Sequence, residues 1–323
     1  MRVFHLSTCL RQLLVSSSKA KNLRNLRPCL DSQSPACTIP TFPILSSLYR
    51  NFCSIPACVW PADLPPATEW GYGLKGPDTW PSKYPQAGGQ NQSPVDIVTS
   101  SIQPRSYDTP LTWKYGPGIC KTIVNTGCGW RVDVQGNDSE LSGGPLSESY
   151  ELVQFHSHWG NENTCGSEHT VDGKAYAGEL HFVHWNRDKF PSCSEAVPSP
   201  SGLTVIAVFL EEGENNPEID KLCETLSKIP SKDDRTDLPE DLDPVAMYPA
   251  DHSFWTYSGS LTTPPCYESV TWIVFKNPIT VSHEQLDCFR RMKKPCTEED
   301  SFILKNYRPP QSLNDREIFE CAA

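Results

Sequence analysis

The chain has 323 residues and a formal net charge of −11 at pH 7, and 37% of its residues are hydrophobic. This apolar content, together with 9 Trp, 12 Phe and 11 Tyr, is enough for a sizeable core and excludes an intrinsically disordered chain. The acidic balance repels phosphate backbones, so no nucleic acid partner is expected.

Residues 1–60 are basic, although the chain as a whole is acidic. They contain seven Arg or Lys and one acid, Asp31, so this stretch carries +6 and the rest of the chain carries −17. Residues 1–55 are rich in Ser, and their composition is typical of a mitochondrial transit peptide. Their longest apolar run, residues 13–15, is too short for a secretory signal or a membrane span. We therefore predict a disordered transit peptide over residues 1–55 and a mitochondrial matrix location, with a disordered extension of a cytoplasmic protein as the alternative.

The rest of the chain is predicted to be a Pro-rich linker followed by one domain. Residues 56–66 (PACVWPADLPP) cannot propagate a helix. From residue 67 onward, short β-branched and aromatic segments alternate with Gly, Pro, Asn and Asp, which predicts a mainly β (α+β) domain over residues 67–323. Strands are predicted at residues 122–125, 130–134, 152–159, 179–185, 203–210 and 269–275, and a helix at residues 217–229.

The cysteines give no sign of a disulfide framework. Of the 14 cysteines, nine lie in the body, where they show neither paired spacing nor a C-x-x-C zinc pattern. This distribution predicts thiols in a reducing compartment.

The histidines are clustered. Five of the eight fall within 29 residues, at His156, His158, His169, His181 and His184.

The first histidine pair lies in the alternating segment LVQFHSHW (152–159). Alternate side chains of a strand point to opposite faces, so Gln154, His156 and His158 are expected to share one face. The opposite face is predicted to be apolar and to pack on the core, with these members: Val153, Phe155 and Trp159.

The segment ELHFVHW (179–185) repeats this arrangement, with Glu179, His181 and Val183 on one face. If the two strands are neighbours, His156, His158 and His181 converge. Three His ligands with an open fourth position are typical of a catalytic zinc site, so Zn²⁺ is the expected cofactor. Gln154 and Glu179 each lie two residues before a ligand on the same face, where they can accept the imidazole N–H.

Seven segments, taken in chain order, resemble the α-class carbonic anhydrases. They are WGYG (70–73), NQSPVDI (91–97), QFHSHWG (154–160), GSEHTVDG (166–173), ELHFVHWN (179–186), GSLTTPP (259–265) and NYRPPQ (306–311). Two further segments, WRVDVQGNDSEL (130–141) and TTPPCYESVTWIVFK (262–276), look most like intracellular invertebrate members.

The resemblance implies a fold and an activity. The fold is a single domain with a large, mostly antiparallel central sheet, short peripheral helices and a conical active-site cavity. The activity is the zinc-dependent hydration of carbon dioxide to bicarbonate and a proton, which makes carbon dioxide, water and bicarbonate the expected partners. We expect a monomer without a membrane span.

By the same resemblance, Thr262 accepts a hydrogen bond from the zinc-bound hydroxide and donates its own proton to Glu168. Thr263 is expected to contact bicarbonate. The apolar wall that holds carbon dioxide is expected to comprise Val183, Val205, Leu261 and Trp272.

The chain departs from the family at the proton shuttle. The alignment of NTGCGW (125–130) places Cys128 where fast members carry a histidine. A thiol with a pKa of about 8.5 is a poorer shuttle near neutral pH than an imidazole. Tyr72 is a weaker candidate for this role.

Two other functions are considered. One is a catalytically silent carbonic anhydrase-related binding module, which the complete set of His156, His158, His181, Thr262 and Glu168 disfavours. The other is a zinc protease, but the chain has no H-E-x-x-H string.

Overall fold

The structure is a computed structural model that describes residues 60–61, 64–66, 69–135, 139–295 and 302–322. The predicted transit peptide, residues 1–55, lies outside the described residues, as does the first part of the predicted linker.

The described residues contain fifteen strands. They are β1 (Asp96–Ile97), β2 (Gln103–Pro104), β3 (Thr112–Tyr115), β4 (Cys120–Asn125), β5 (Trp130–Val134), β6 (Ser139–Ser142), β7 (Tyr150–Trp159), β8 (Thr170–Val171), β9 (Gly178–Asn186), β10 (Leu203–Glu212), β11 (Arg235–Asp237), β12 (Phe254–Gly259), β13 (Val270–Phe275), β14 (Ile279–Val281) and β15 (Phe319–Cys321).

The helices are few and short. The described α-helices are α1 (Trp80–Lys83), α2 (Cys193–Ala196), α3 (Pro217–Leu226) and α4 (His283–Arg290). Single 3₁₀ segments occupy Pro77–Thr79, Pro85–Gly88, Thr99–Ser101 and Pro244–Met247.

Thirteen of the described strands form one large sheet. Its main strand order is β11-β4-β5-β7-β9-β10-β13-β12-β15-β2. Outside this order, β14 pairs with β10, β6 pairs with β7, and β3 pairs with β6. The pairs β10–β13, β10–β14 and β15–β2 are parallel, and the other pairs of this sheet are antiparallel. The predicted mainly β domain with a mostly antiparallel sheet is therefore confirmed, and the sheet is mixed. All six strands predicted from the sequence are present, and β5 has the predicted bounds.

The predicted helix at residues 217–229 is confirmed as α3, which ends at Leu226. Its start follows from local chemistry, because the Asn216 side chain accepts hydrogen bonds from the backbone N–H groups of Glu218 and Ile219. Pro217 occupies the first turn, where its missing N–H removes no helical hydrogen bond. A capping box at Ser282 and Gln285 starts α4 in a similar way.

The two faces of the sheet pack into separate cores. One contains Phe155, Trp159, Leu180 and Phe182, together with buried side chains of α3 and α4. The other contains the apolar side chains on the histidine side of the sheet, including Val183, Val205, Leu261 and Trp272.

The predicted placement of Val153 with Phe155 and Trp159 is wrong. Val153 packs in the core on the histidine side, with Val183. The cause is a register irregularity between Leu152 and Gln154 in the pairing of β7 with β9, which breaks the strict alternation of faces at this point.

The end of the predicted linker contacts the domain, since Trp60 and Leu64 are partly buried against the histidine-side core. Among the described helices, none combines the length and the apolar character needed to cross a bilayer. The eight described cysteines are present as thiols.

Candidate metal centre

The register of two central strands brings the three histidines together. β7 and β9 are adjacent and antiparallel, and His156 lies directly opposite His181. His158 follows His156 by two residues and so points to the same face of β7. One nitrogen from each of the three rings lies within 4.8 Å of the others, a spacing that one metal ion can bridge.

Each ring has a second nitrogen that points away from the shared site, and a hydrogen bond at this nitrogen orients the ring. Gln154 Oε1 lies 2.8 Å from His156 Nδ1, and Glu179 Oε1 lies 2.7 Å from His181 Nε2. The backbone carbonyl of Asn306 lies 2.7 Å from Nδ1 of His158. Because an oxygen that accepts a hydrogen bond fixes the proton on that nitrogen, the remaining nitrogens are left as lone-pair donors. These are His156 Nε2, His158 Nε2 and His181 Nδ1.

The site fits a cation that prefers neutral nitrogen ligands. Nε2 of His158 is buried and has no hydrogen bond partner in the described part of the chain, as expected of an atom reserved for a metal. Burial lowers the pKa of His158 to about 3, and burial followed by the nearby ring charges lowers the pKa of His156 well below its ordinary value. Burial also lowers the pKa of His181. All three imidazoles are therefore neutral at pH 7 and can bind Zn²⁺.

Glu179 is the centre of a buried hydrogen-bond network. Its Oε2 accepts the backbone N–H groups of Glu168 and His169 at 2.8 Å each. Its Oε1 accepts from His169 Nδ1 and from His181 Nε2 at 2.7 Å each. Burial raises the Glu179 pKa, but the charges and hydrogen bonds of the two histidines outweigh this effect and hold the pKa below its ordinary value.

His169, Glu179 and His181 also lie close enough to bind a metal ion together. Hydrogen bonds already account for this group, because Glu179 Oε1 accepts from both rings and His169 Nε2 lies 2.6 Å from the Tyr257 hydroxyl. A metal placed there would also leave Nε2 of His158 without a partner. The triad of His156, His158 and His181 is therefore the better site.

Glu168 lies beside the triad, with its Oε1 3.3 Å from Nδ1 of His158, and Thr262 lies next to Glu168. Glu168 is fully buried, and its Oε1 accepts the backbone N–H of Arg308 at 2.8 Å. Burial raises the pKa of Glu168 well above its ordinary value, and the nearby Thr262 hydroxyl and the Arg308 N–H oppose this effect. Glu168 Oε2 has no other hydrogen bond partner in the described residues, so it is the oxygen available to the Thr262 hydroxyl.

Comparison with known proteins agrees with this geometry. Residues 75–322 match the family model for eukaryotic-type carbonic anhydrase. The chain belongs to the eukaryotic-type carbonic anhydrase family. It is 45% identical to "Carbonic anhydrase 1" of Mus musculus over 256 residues, which is 78% of this chain and 98% of the mouse protein. It is 43% identical to "Carbonic anhydrase 1" of Monodelphis domestica over 253 residues, covering 77% of this chain and 96% of the relative.

In this carbonic anhydrase, an apolar wall lies on the histidine side of the sheet. Val205 lies opposite Val183 on β9 and opposite Trp272 on β13, so the three side chains form a row across adjacent strands. The ring centroids of Trp272 and His181 are 4.9 Å apart, which places the wall against the triad. Leu261 packs in the same core, and Thr262 and Thr263 follow it in the chain.

The two proposed shuttle residues lie close to each other and to the site. Burial, together with the charges of Glu168 and Cys128, raises the pKa of Tyr72 well above its ordinary value. Tyr72 therefore keeps its proton at neutral pH and is a poor relay. Cys128 is only partly buried, and its backbone N–H donates to the Thr126 hydroxyl at 3.3 Å.

Sequence reasoning missed three residues at the site. Asn306 orients His158 through its carbonyl and also accepts the backbone N–H of Trp159 at its side chain. Arg308 holds Glu168 in place, and Arg131 lies opposite His156 on β5 and pairs with Asp133 at 2.7 Å. The alternation of β5 could have placed Arg131 and Asp133 on one face, but their position beside His156 depends on the pairing of β5 with β7.

Proposed function

We propose that the protein is a carbonic anhydrase that catalyses the reversible hydration of carbon dioxide to bicarbonate and a proton, with Zn²⁺ held by His156, His158 and His181. The observation that carries this proposal is the convergence of three neutral, individually oriented imidazoles beside a buried apolar wall. When bound, a zinc ion with three His ligands lowers the pKa of a coordinated water to about 7 and so supplies hydroxide at neutral pH. A silent binding module is not favoured, because no member of the ligand set is missing.

The surrounding side chains orient the reactants. Thr262 donates its proton to Glu168, and its oxygen can then only accept a hydrogen bond from the nucleophile. This one-way chain turns a lone pair of the nucleophile toward the substrate. Carbon dioxide, which is apolar, lies against the wall of Val183, Val205, Leu261 and Trp272, and Thr263 contacts the bicarbonate product.

Metal exchange in the purified protein tests the function. We expect one zinc per chain by elemental analysis and rapid carbon dioxide hydration in stopped flow. Dialysis against a chelator should abolish the activity, and one equivalent of Zn²⁺ should restore it. A protein that contains no zinc yet hydrates carbon dioxide at full rate would contradict the proposal.

Removal of the Thr262 hydroxyl should slow the reaction without removing the metal. We expect Thr262→Val to lower kcat/KM by about 100-fold, because one preorganised hydrogen bond to the reacting group is lost. Zinc content should stay at one per chain, and Thr262→Ser should retain most of the rate. If the Val variant keeps the original kcat/KM, the Thr262 hydroxyl has no role in the mechanism.

Proton transfer is proposed to limit turnover, because Cys128 occupies the shuttle position. Cys128→His should raise the maximal rate by several-fold to about tenfold, since an imidazole titrates near the working pH. Imidazole buffer should accelerate the original protein and the matched control Cys128→Ala, and should have less effect on the His variant. The idea fails if saturating imidazole leaves the maximal rate of the original protein unchanged.

The cellular location and the finer subtype remain proposals. The composition of residues 1–55 supports import into the mitochondrial matrix, and segments 130–141 and 262–276 support an intracellular invertebrate-like enzyme. We also propose that the enzyme acts as a monomer. Imaging of a fusion of residues 1–60 to a fluorescent protein tests the location. Diffuse cytoplasmic fluorescence would overturn the targeting proposal.

A further inference from the structure

Two cysteines outside the metal centre, Cys223 and Cys288, lie on different helices and face each other. Cys223 on α3 donates its thiol hydrogen to the carbonyl of Gln285 on α4 at 3.8 Å. Cys288 on α4 donates to the carbonyl of Cys223 at 3.7 Å. Each thiol thus reaches the backbone of the other helix, and both side chains are only partly buried.

Both thiols open into the same cavity. It has a volume of about 620 Å³, within the usual range for small-molecule sites. Charged side chains of both signs line it, including Asp220, Glu284 and Arg291. The rest of the lining is mostly apolar, with Leu226 and Met292 among its members. The cavity therefore suits a small peptide whose amino and carboxylate groups meet the charged side chains and whose carbon and sulfur atoms lie on the apolar ones.

The two thiols differ in acidity. When Cys288 ionises, the Cys223 thiol can turn its hydrogen from the Gln285 carbonyl to the sulfur of Cys288. This hydrogen bond, aided by the Arg291 cation and opposed by burial, lowers the pKa of Cys288 below its ordinary value. The same hydrogen bond, together with burial, raises the pKa of Cys223. Cys288 is therefore the thiol that ionises first, and the thiolate is the reactive form.

We propose that this cavity is a thiol–disulfide exchange site, in which a small peptide disulfide such as glutathione disulfide oxidises Cys288 and Cys223 to an intramolecular disulfide. The Cys288 thiolate attacks one sulfur of the small disulfide, breaks its S–S bond and releases one thiolate, which leaves a mixed disulfide on Cys288. Cys223 then loses its proton and attacks Sγ of Cys288, which releases the second small thiol. The two protein thiols are oxidised and one small disulfide is reduced to two thiols.

The disulfide would join two helices that support the ligand-bearing sheet. Next to Cys288, Phe289 packs on Trp159 with ring centroids 5.5 Å apart, and Arg290 donates to the carbonyl of Gly160 at 2.8 Å. Trp159 follows the proposed ligand His158 in β7. We therefore expect oxidation to act on stability first, because it closes a long loop between residues that are 65 positions apart.

The test uses the full-length, zinc-loaded protein treated with excess glutathione disulfide, quenched by alkylation and analysed by peptide mass mapping. We expect a disulfide between Cys223 and Cys288, reversed by dithiothreitol, and a thermal midpoint raised by roughly 5–10 °C. Cys223→Ser should trap the mixed disulfide on Cys288, and Cys288→Ser should abolish the reaction at both positions. Cys165→Ser, which removes a partly buried thiol elsewhere, should behave like the original protein.

Mass mapping of the original protein tests the proposal even if a variant fails to fold. Mapping that shows Cys223 and Cys288 both alkylated after treatment would overturn the proposal. So would glutathione spread evenly over the partly buried cysteines without a link between these two.

Discussion

His181→Ala is expected to lose its zinc and to hydrate carbon dioxide more than about 10⁴-fold more slowly than the original protein. His181 is the proposed ligand on β9, and its loss leaves two nitrogens on one strand, which is too few for a stable catalytic zinc site. Without the metal, the pKa of the reacting water rises from about 7 to far above neutral, so hydroxide is scarce at neutral pH. Elemental analysis and stopped-flow hydration measure the two losses.

His283→Ala is the matched control, because it removes an exposed imidazole from the start of α4. It should retain one zinc per chain and the full rate. Circular dichroism of both variants establishes that each is folded. A folded His181→Ala protein with one tightly bound zinc and normal turnover would show that the metal lies elsewhere.

Glu179→Gln is expected to weaken zinc binding by about 10–100-fold and to lower the free energy of unfolding by about 3 kcal/mol. The carboxylate accepts four hydrogen bonds, two from backbone N–H groups and two from the rings of His169 and His181. An amide offers only one acceptor oxygen, so at least two of the four donors lose their partner. Competition with a chromophoric chelator measures the affinity, and urea unfolding of the metal-free protein measures the stability.

The variant Gln154→Ala separates the effect on zinc affinity from the effect on the free energy of unfolding. Gln154 orients His156 through one hydrogen bond and has no comparable network in the described residues, so its removal should weaken zinc binding with a smaller loss of stability. If Glu179→Gln and Gln154→Ala give the same loss of stability, the network around Glu179 has no special role in the fold.

Much of the site could be predicted because it follows the period of a strand. The alternation of side chains along a strand is enough to place His156 and His158 on one face of β7. The same alternation in β9 predicts the face on which His181 lies. The two orienting residues, Gln154 and Glu179, were predictable for the same reason, since each lies two residues before its histidine. The helix α3 was predictable because its apolar spacing and its capping residue agree.

The missed features depend on contacts between distant parts of the chain. The carbonyl that orients His158 belongs to Asn306, 148 positions away, and a backbone carbonyl leaves no mark in the residue pattern. Arg131 reaches the site through strand pairing, which periodicity does not determine. Val153 was misplaced because an irregularity in pairing shifts the face of a side chain without changing the sequence signal.

The ligand-bearing strands lie in the interior of the sheet, with β5 beyond β7 on one side and β10 beyond β9 on the other. Their amide hydrogens therefore exchange with solvent mainly when the whole sheet opens. The entropic cost of gathering three imidazoles is met when the polypeptide folds, so the proposed metal centre is preorganised before an ion binds. Small zinc domains fold only around their metal, whereas we expect this scaffold to release and rebind an ion without refolding.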